Sequence, residues 1–306
     1  GLGAPTMRLL SIHQVPESYR EPGILCGYRP PRSSARACLR SLFRMNNETL
    51  NVWTHLVPAG YFLWLFQGWL RVGWPDPGIW PFLAFLGTCC LYPLASSAAH
   101  AFSPVSDRAR HLGYCCDYTA LSLYSLGEPA FPGFMGFGEF GGVRVNRDSL
   151  QIPCVLPRFL EVERPQLSKA SRISAFVYPY IFDSIPLFYR LWRCGAGGCS
   201  DGSIPLHLRH SLCALLTCAI FTSRLPERLA PGRFDYIGHS HQVFHVFGIL
   251  GTHFQLEAVS MDMAERRGRL PLPSSLETFG SLGMAATASL AIIGICSLAL
   301  PREKSH

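Results

Sequence analysis

Seven separate stretches of mostly apolar residues constrain this chain more than any motif: 52–70, 79–102, 112–127, 174–192, 204–222, 236–256 and 279–300. A helix needs roughly 20 such residues to cross about 30 Å of hydrocarbon. One such stretch could be the buried helix of a soluble protein, but seven in one chain point to an integral membrane protein. Composition agrees, because only 15% of the 306 residues are charged, against roughly 25% in a soluble domain. The 48% hydrophobic content excludes a disordered chain. Glycine and proline without a three-residue period exclude collagen. Several stretches contain His, Asp or Arg, which belong inside a bundle rather than against lipid. The expected fold class is all-α, a multi-pass transmembrane helical bundle.

The net charge of +7 is not gathered in the single stripe that nucleic acid would require. Arg8, Arg20, Arg29, Arg32, Arg36, Arg40 and Arg44 precede the first stretch and place the N-terminus in the cytoplasm. Arg108 and Arg110, and then Arg224, Arg228 and Arg233, read as cytoplasmic too. The stretches between Arg108 and Arg224 give an odd number of crossings, so one more is required. The gap is 128–173, which is rich in glycine, interrupted by Glu128 and Glu139, and fairly apolar only over 150–160. Either a compromised helix is squeezed in there, or the bundle of this form is damaged. The expected organisation is a cytoplasmic segment over 1–46, a transmembrane domain over 47–300 with 128–173 atypical, and a tail over 301–306.

No signal peptide with a short apolar core precedes the first stretch, which serves as its own insertion signal. The first methionine is Met7 after Gly1, which suits a fragment or a partial gene model. The twelve cysteines show no CxxC spacing and mostly lie in the apolar stretches. Cys194 and Cys199 flank a short outer loop, as a small disulfide or as two free thiols. Asn47-Glu48-Thr49 is a glycosylation sequon on the inner side, where no glycan is expected.

The run 235–245, DYIGHSHQVFH, carries the chemistry. His241 and His245 are four apart, so on a helix they share a face with Cβ atoms about 5–6 Å apart. Two imidazoles at that spacing can bind one Zn²⁺ at roughly 2.0–2.1 Å each. His239 points off that face, and His253 is turned from it, so both read as interhelical hydrogen-bonders. The best third ligand is His100, at the cytoplasmic end of the second stretch. Ser96 stands one turn before it, and Asp117 is an acid inside the next stretch. Three His ligands leave a fourth position for a water, as in catalytic zinc sites. Such a water, held by Asp117 and Ser96, could attack an amide or ester. Helix packing could account for each residue singly; their convergence at one level points to a site.

These residues carry a resemblance. Asn47–His55 (NETLNVWTH), Ser96 with His100, Cys116-Asp117-Tyr118, Arg158–Glu161 (RFLE), Leu225–His245 and Thr252–Val259 (THFQLEAV) make the chain resemble the progestin and adipoQ receptor family, in its membrane progestin receptor branch. The resemblance covers nearly the whole chain except about 129–157 and the C-terminal tail. It implies a seven-helix core with a cytoplasmic N-terminus, and an eighth helix, here 279–300. It also implies zinc on His100, His241 and His245, with Asp117 and Ser96 near a metal-bound water. The implied function is a plasma-membrane receptor for steroids (progestins or neurosteroids), in contact with membrane lipids and signalling through G proteins. Relatives of the fold that hydrolyse ceramide imply a zinc-dependent lipid amidase as the alternative. A splice form with an impaired bundle is the third reading, since the family completes its third and fourth helices where this chain has 128–173. Glu48, Asn51, Trp53 and His55 form part of the cytoplasmic mouth of the implied site, or else an interfacial anchor with a polar cap. Asp183 is expected to pair with a polar partner, and the aromatics of 174–192 to line a steroid pocket or simply to pack.

Overall fold

A computed structural model describes residues 7–127, 202–266 and 276–299, together with residues 177, 180, 181, 184, 185, 187–192 and 194. Every regular element among them is helical. A short helix α1 (Ala35–Ser41) is followed by α2 (Thr49–Gly73), α3 (Trp80–Phe102), α4 (Asp107–Gly127), α5 (Ile204–Ser223), α6 (Ser240–Arg266) and α7 (Ser281–Ala299). The required extra crossing in 128–173 and Asp183 lie outside the described residues. Cys194 is disulfide-bonded, and Cys199 is outside them as well.

Turn chemistry sets the helix ends. Asp76 accepts a hydrogen bond from the Gly78 N–H at 2.9 Å, and Pro81 occupies the first turn of α3, where its missing donor costs nothing. α5 stops at Arg224, whose φ of 54° is left-handed. Pro58 in α2 and Pro93 in α3 each remove one ladder hydrogen bond. Neighbours in sequence pack as antiparallel pairs, α2 with α3, α3 with α4, and α5 with α6. The helix α3 is the central one, and with α5 it is apolar enough to cross a membrane unaided. Phe62, Phe85, Leu86, Cys89 and Val259 are buried where α2, α3 and α6 meet. The eighth-helix expectation corresponds to α7, which packs on α4; Arg108 donates to the Ser297 carbonyl at 3.0 Å, setting the end of α7 beside the start of α4.

The bundle thus has one end made by the starts of α2, α4 and α6 and the end of α3. The N-terminal segment is folded over that end. Leu10 and Tyr28 form a two-way backbone bridge at 2.8 and 3.1 Å around a small core of Val15, Tyr19, Ile24 and Tyr28. Burial pushes the Tyr28 hydroxyl up to about 12, so it stays protonated and donates to the Ile24 carbonyl at 2.9 Å. Asp235 accepts from the backbone N–H groups of Leu25 and Cys26, both at 2.8 Å. Arg29, 4% exposed, donates to the Ala101 carbonyl at 2.8 Å, to that of His100, and to Ser41 and Ser103, satisfying carbonyls at the C-terminal end of α3. Asp235→Ala removes two part-buried hydrogen bonds to backbone donors, at about 0.5–1.5 kcal/mol each. It should make the N-terminal segment cleavable by protease under conditions where wild type resists; equal cleavage rates would refute the pinning role.

Candidate metal centre

Each histidine of interest is placed by a local device. The start of α6 is fixed by Glu227, which accepts the Ser240 N–H at 2.7 Å and the Ser240 hydroxyl. That start sets His241 and His245 on the first turns of α6, facing α3. His100 occupies the last turn of α3, whose end Arg29 holds.

The three side chains converge: one ring nitrogen from each lies within 4.8 Å of the others. The Nε2 atoms of His100 and His241 are 3.0 Å apart. Zn–N bonds of roughly 2.0–2.1 Å at a tetrahedral angle set two nitrogens about 3.3 Å apart. His100 and His245 are 2% exposed.

Hydrogen bonds behind the rings settle which nitrogen faces inward. His100 donates Nδ1–H to Glu48 Oε2 at 2.8 Å, and Asn51 donates to the same oxygen at 2.7 Å. Its Nε2 lone pair is left for the cluster. The Thr54 hydroxyl spends its proton on the Leu50 carbonyl at 2.7 Å. It can therefore only accept from His245 Nδ1, 3.1 Å away, and His245 also presents Nε2. A carboxylate or hydroxyl holding the remote nitrogen of a ligating imidazole is the usual support of a metal site. The donor set, its tautomers and its burial fit a divalent metal that accepts imidazole.

Ser96 is 2% exposed and one turn before His100. Asp117 is half-buried on α4, near enough to Tyr92 and Cys116 to act on both electrostatically, but it is not in the metal-binding group. His239 precedes α6 and meets the Asn47 carbonyl at 3.3 Å. His253 meets the Tyr61 hydroxyl across to α2 at 3.1 Å. Trp53 Nε1 donates to the Leu42 carbonyl at 2.8 Å.

Three features go beyond the sequence reading. The first is Glu48: placed at the mouth of the site by the resemblance, it is a buried carboxylate that accepts from His100. His55 is another: 5% exposed, it stacks on His245 with ring centroids 3.8 Å apart, and its Nδ1 has no hydrogen-bond partner among the described residues. The third is a buried polar chain leading deeper into the bundle. The Tyr92 hydroxyl meets Thr252 at 2.9 Å, Thr252 donates to the Tyr124 hydroxyl at 3.2 Å, and Tyr124 donates to Gln255. Positions 245, 252 and 255 share one face of α6, a helical periodicity that could have flagged the chain.

The profile of a family described as haemolysin-III related matches residues 43–256. Membrane progestin receptor delta of Mus musculus is 49% identical over 94% of this chain and 88% of its own length. Membrane progestin receptor delta of Homo sapiens is 47% identical over 97% and 92%, and membrane progestin receptor gamma-B of Danio rerio 46% over 96% and 94%.

Proposed function

The chain belongs to the haemolysin-III related family of multi-pass membrane helical proteins, and from that premise we propose that it is a membrane receptor for progestins holding zinc on His100, His241 and His245. The observation that carries the reading is the meeting of three imidazoles, two buried and one half-buried, in a chain similar over nearly its whole length to membrane progestin receptors. Zinc there supplies a Lewis acid that can polarise a ligand oxygen or acidify a water. Glu48 and Thr54 hold the ring tautomers, and Arg29 holds the end of the helix that carries His100. Tyr92, Thr252, Tyr124 and Gln255 offer hydrogen-bonding groups to a steroid ketone or hydroxyl in an otherwise apolar interior. The arginine distribution supports a cytoplasmic N-terminus, and the resemblance supports a plasma-membrane location and signalling through G proteins.

A second reading rests on buried Ser96 one turn from His100. With Asp117 it would hold a water for attack on a lipid amide, as in a ceramidase. One experiment tests both. Wild type and the double variant His241→Ala/His245→Ala are reconstituted in lipid nanodiscs, and saturable binding of radiolabelled progesterone is measured beside ceramide turnover. Binding that falls at least about tenfold in the double variant supports a zinc-dependent receptor. Absence of saturable binding in wild type refutes the receptor reading, and turnover lost in the variant establishes the hydrolase.

A further inference from the structure

The run 36–45, RACLRSLFRM, sets Arg36, Arg40 and Arg44 four residues apart among apolar side chains, immediately before α2. α1 buries Cys38 and Ser41 against the bundle and turns Arg36, Leu39 and Arg40 outward, and Phe43, Arg44 and Met45 follow, also exposed. Leu39 is 50% and Phe43 80% exposed, far more than apolar residues facing only water are expected to be when they adjoin one another. The guanidinium of Arg110 meets Glu21 at 3.2 Å; those of Arg36, Arg40 and Arg44 meet no carboxylate among the described residues. Beside them opens a cavity of about 200 Å³ lined by Met7, Leu9, Ser41, Arg44, Met45 and Asn46. Its neutral polar groups are already spent: the Ser41 hydroxyl donates to the Cys38 carbonyl at 2.6 Å, and Asn46 Nδ2 donates to the Ser41 and Arg44 carbonyls at 3.1 and 2.8 Å. Arg44 is left with donors to offer.

We propose that this edge of the bundle binds an anionic phospholipid, its phosphate on Arg36, Arg40 and Arg44 and its first acyl carbons against Leu39, Phe43 and the cavity. Charge selects the headgroup: three guanidiniums without an acid call for an anion, and the planar fork grips phosphate in bidentate fashion. Position selects a lipid over an acidic protein. Phe43 packs edge-on against Trp53, with ring centroids 5.7 Å apart, and Trp53 lies about 6 Å into α2, at the end of a membrane bundle where tryptophan marks the interface. Arginines interleaved with exposed apolar side chains at that level are the pattern of a segment lying in the headgroup and acyl boundary. Size agrees, because 200 Å³ is below the roughly 300–1,000 Å³ that encloses a whole ligand, so the occupant enters in part and keeps its tails in the bilayer. The inference rests on the chain being a membrane protein and needs neither zinc nor progestin.

The test titrates the full chain, in micelles of an uncharged detergent, with dioctanoylphosphatidylserine, dioctanoylphosphatidylcholine or inorganic phosphate, and reads affinity from the saturable rise in unfolding temperature. Wild type should bind the serine lipid at least about tenfold more tightly than either the choline lipid, which has the same chains and no net charge, or phosphate, which has the charge and no chains. Arg36→Gln/Arg40→Gln/Arg44→Gln should lose about fivefold per arginine and so fall to the choline-lipid level, while unfolding without lipid at the wild-type temperature. Replacing the same three by lysine keeps the charges and should stay within about threefold of wild type. If the glutamine variant fails to fold, the wild-type preference and the lysine variant decide. Equal affinity for the serine and choline lipids overturns the proposal, as does phosphate bound as tightly as lipid, a folded glutamine variant that binds like wild type, or a folded lysine variant that does not.

Discussion

Purified His100→Ala protein should carry no zinc above background, where wild type carries about one ion per chain. The expectation rests on the ring's position: its Nε2 faces His241 at 3.0 Å, and no other described His, Cys, Asp or Glu completes the group. Glu48→Ala separates ligation from support. His100 keeps its place on α3 but loses the acceptor of its Nδ1 proton, so the ring is free to rotate and to exchange tautomers. Metal affinity should drop about 10–100-fold while saturating zinc still fills the site. Glu48→Gln retains an acceptor oxygen without the charge and should fall between. Competition with a chelator of known affinity reads the series. Wild-type affinity in Glu48→Ala would show that the carboxylate serves only the start of α2.

The second large effect is expected at the opposite end of the bundle. Asp262 is fully buried and accepts from Arg190 at 2.9 and 3.0 Å, from Ser203 at 2.7 Å and from His207 at 2.8 Å. Asp262→Ala leaves a buried guanidinium without its counter-charge, at about 3–5 kcal/mol. Denaturation in detergent should show that loss in full. Replacing Asp262, Arg190 and His207 together by leucine should restore much of it, because no orphaned charge is left behind. A triple variant weaker than the single one would mean that the network contributes binding energy beyond charge compensation.

Helix positions were legible in the sequence because hydrophobic length is a one-dimensional signal. The stretch 204–222 differs from α5 by one residue, and 79–102 from α3 by one. The metal group was legible for a related reason. His241 and His245 are paired by helical spacing alone, and His100 was found by its level in the membrane. What stayed hidden depends on distant partners. Glu48 and His100 are 52 residues apart, so nothing local marks the acid as the partner of that ring. The clasp around Asp262 was missed because hydropathy ends the last inner stretch at 256, whereas α6 continues to Arg266 on packing against α5. Arg29 is the sharpest case. Counting arginines orients the chain, but charge density does not tell which arginine turns inward to close a helix.

His100 offers its ring to the three-histidine cluster and its carbonyl to Arg29 of the N-terminal segment. Interior and surface are therefore joined through a single residue, with no relay of intervening side chains. Any coupling between the two sites through this residue would be reciprocal: what shifts His100 from within would alter how tightly the segment over 7–30 sits, and lifting that segment would alter affinity inside the bundle by the same factor. The lever and the sensor are the same amino acid.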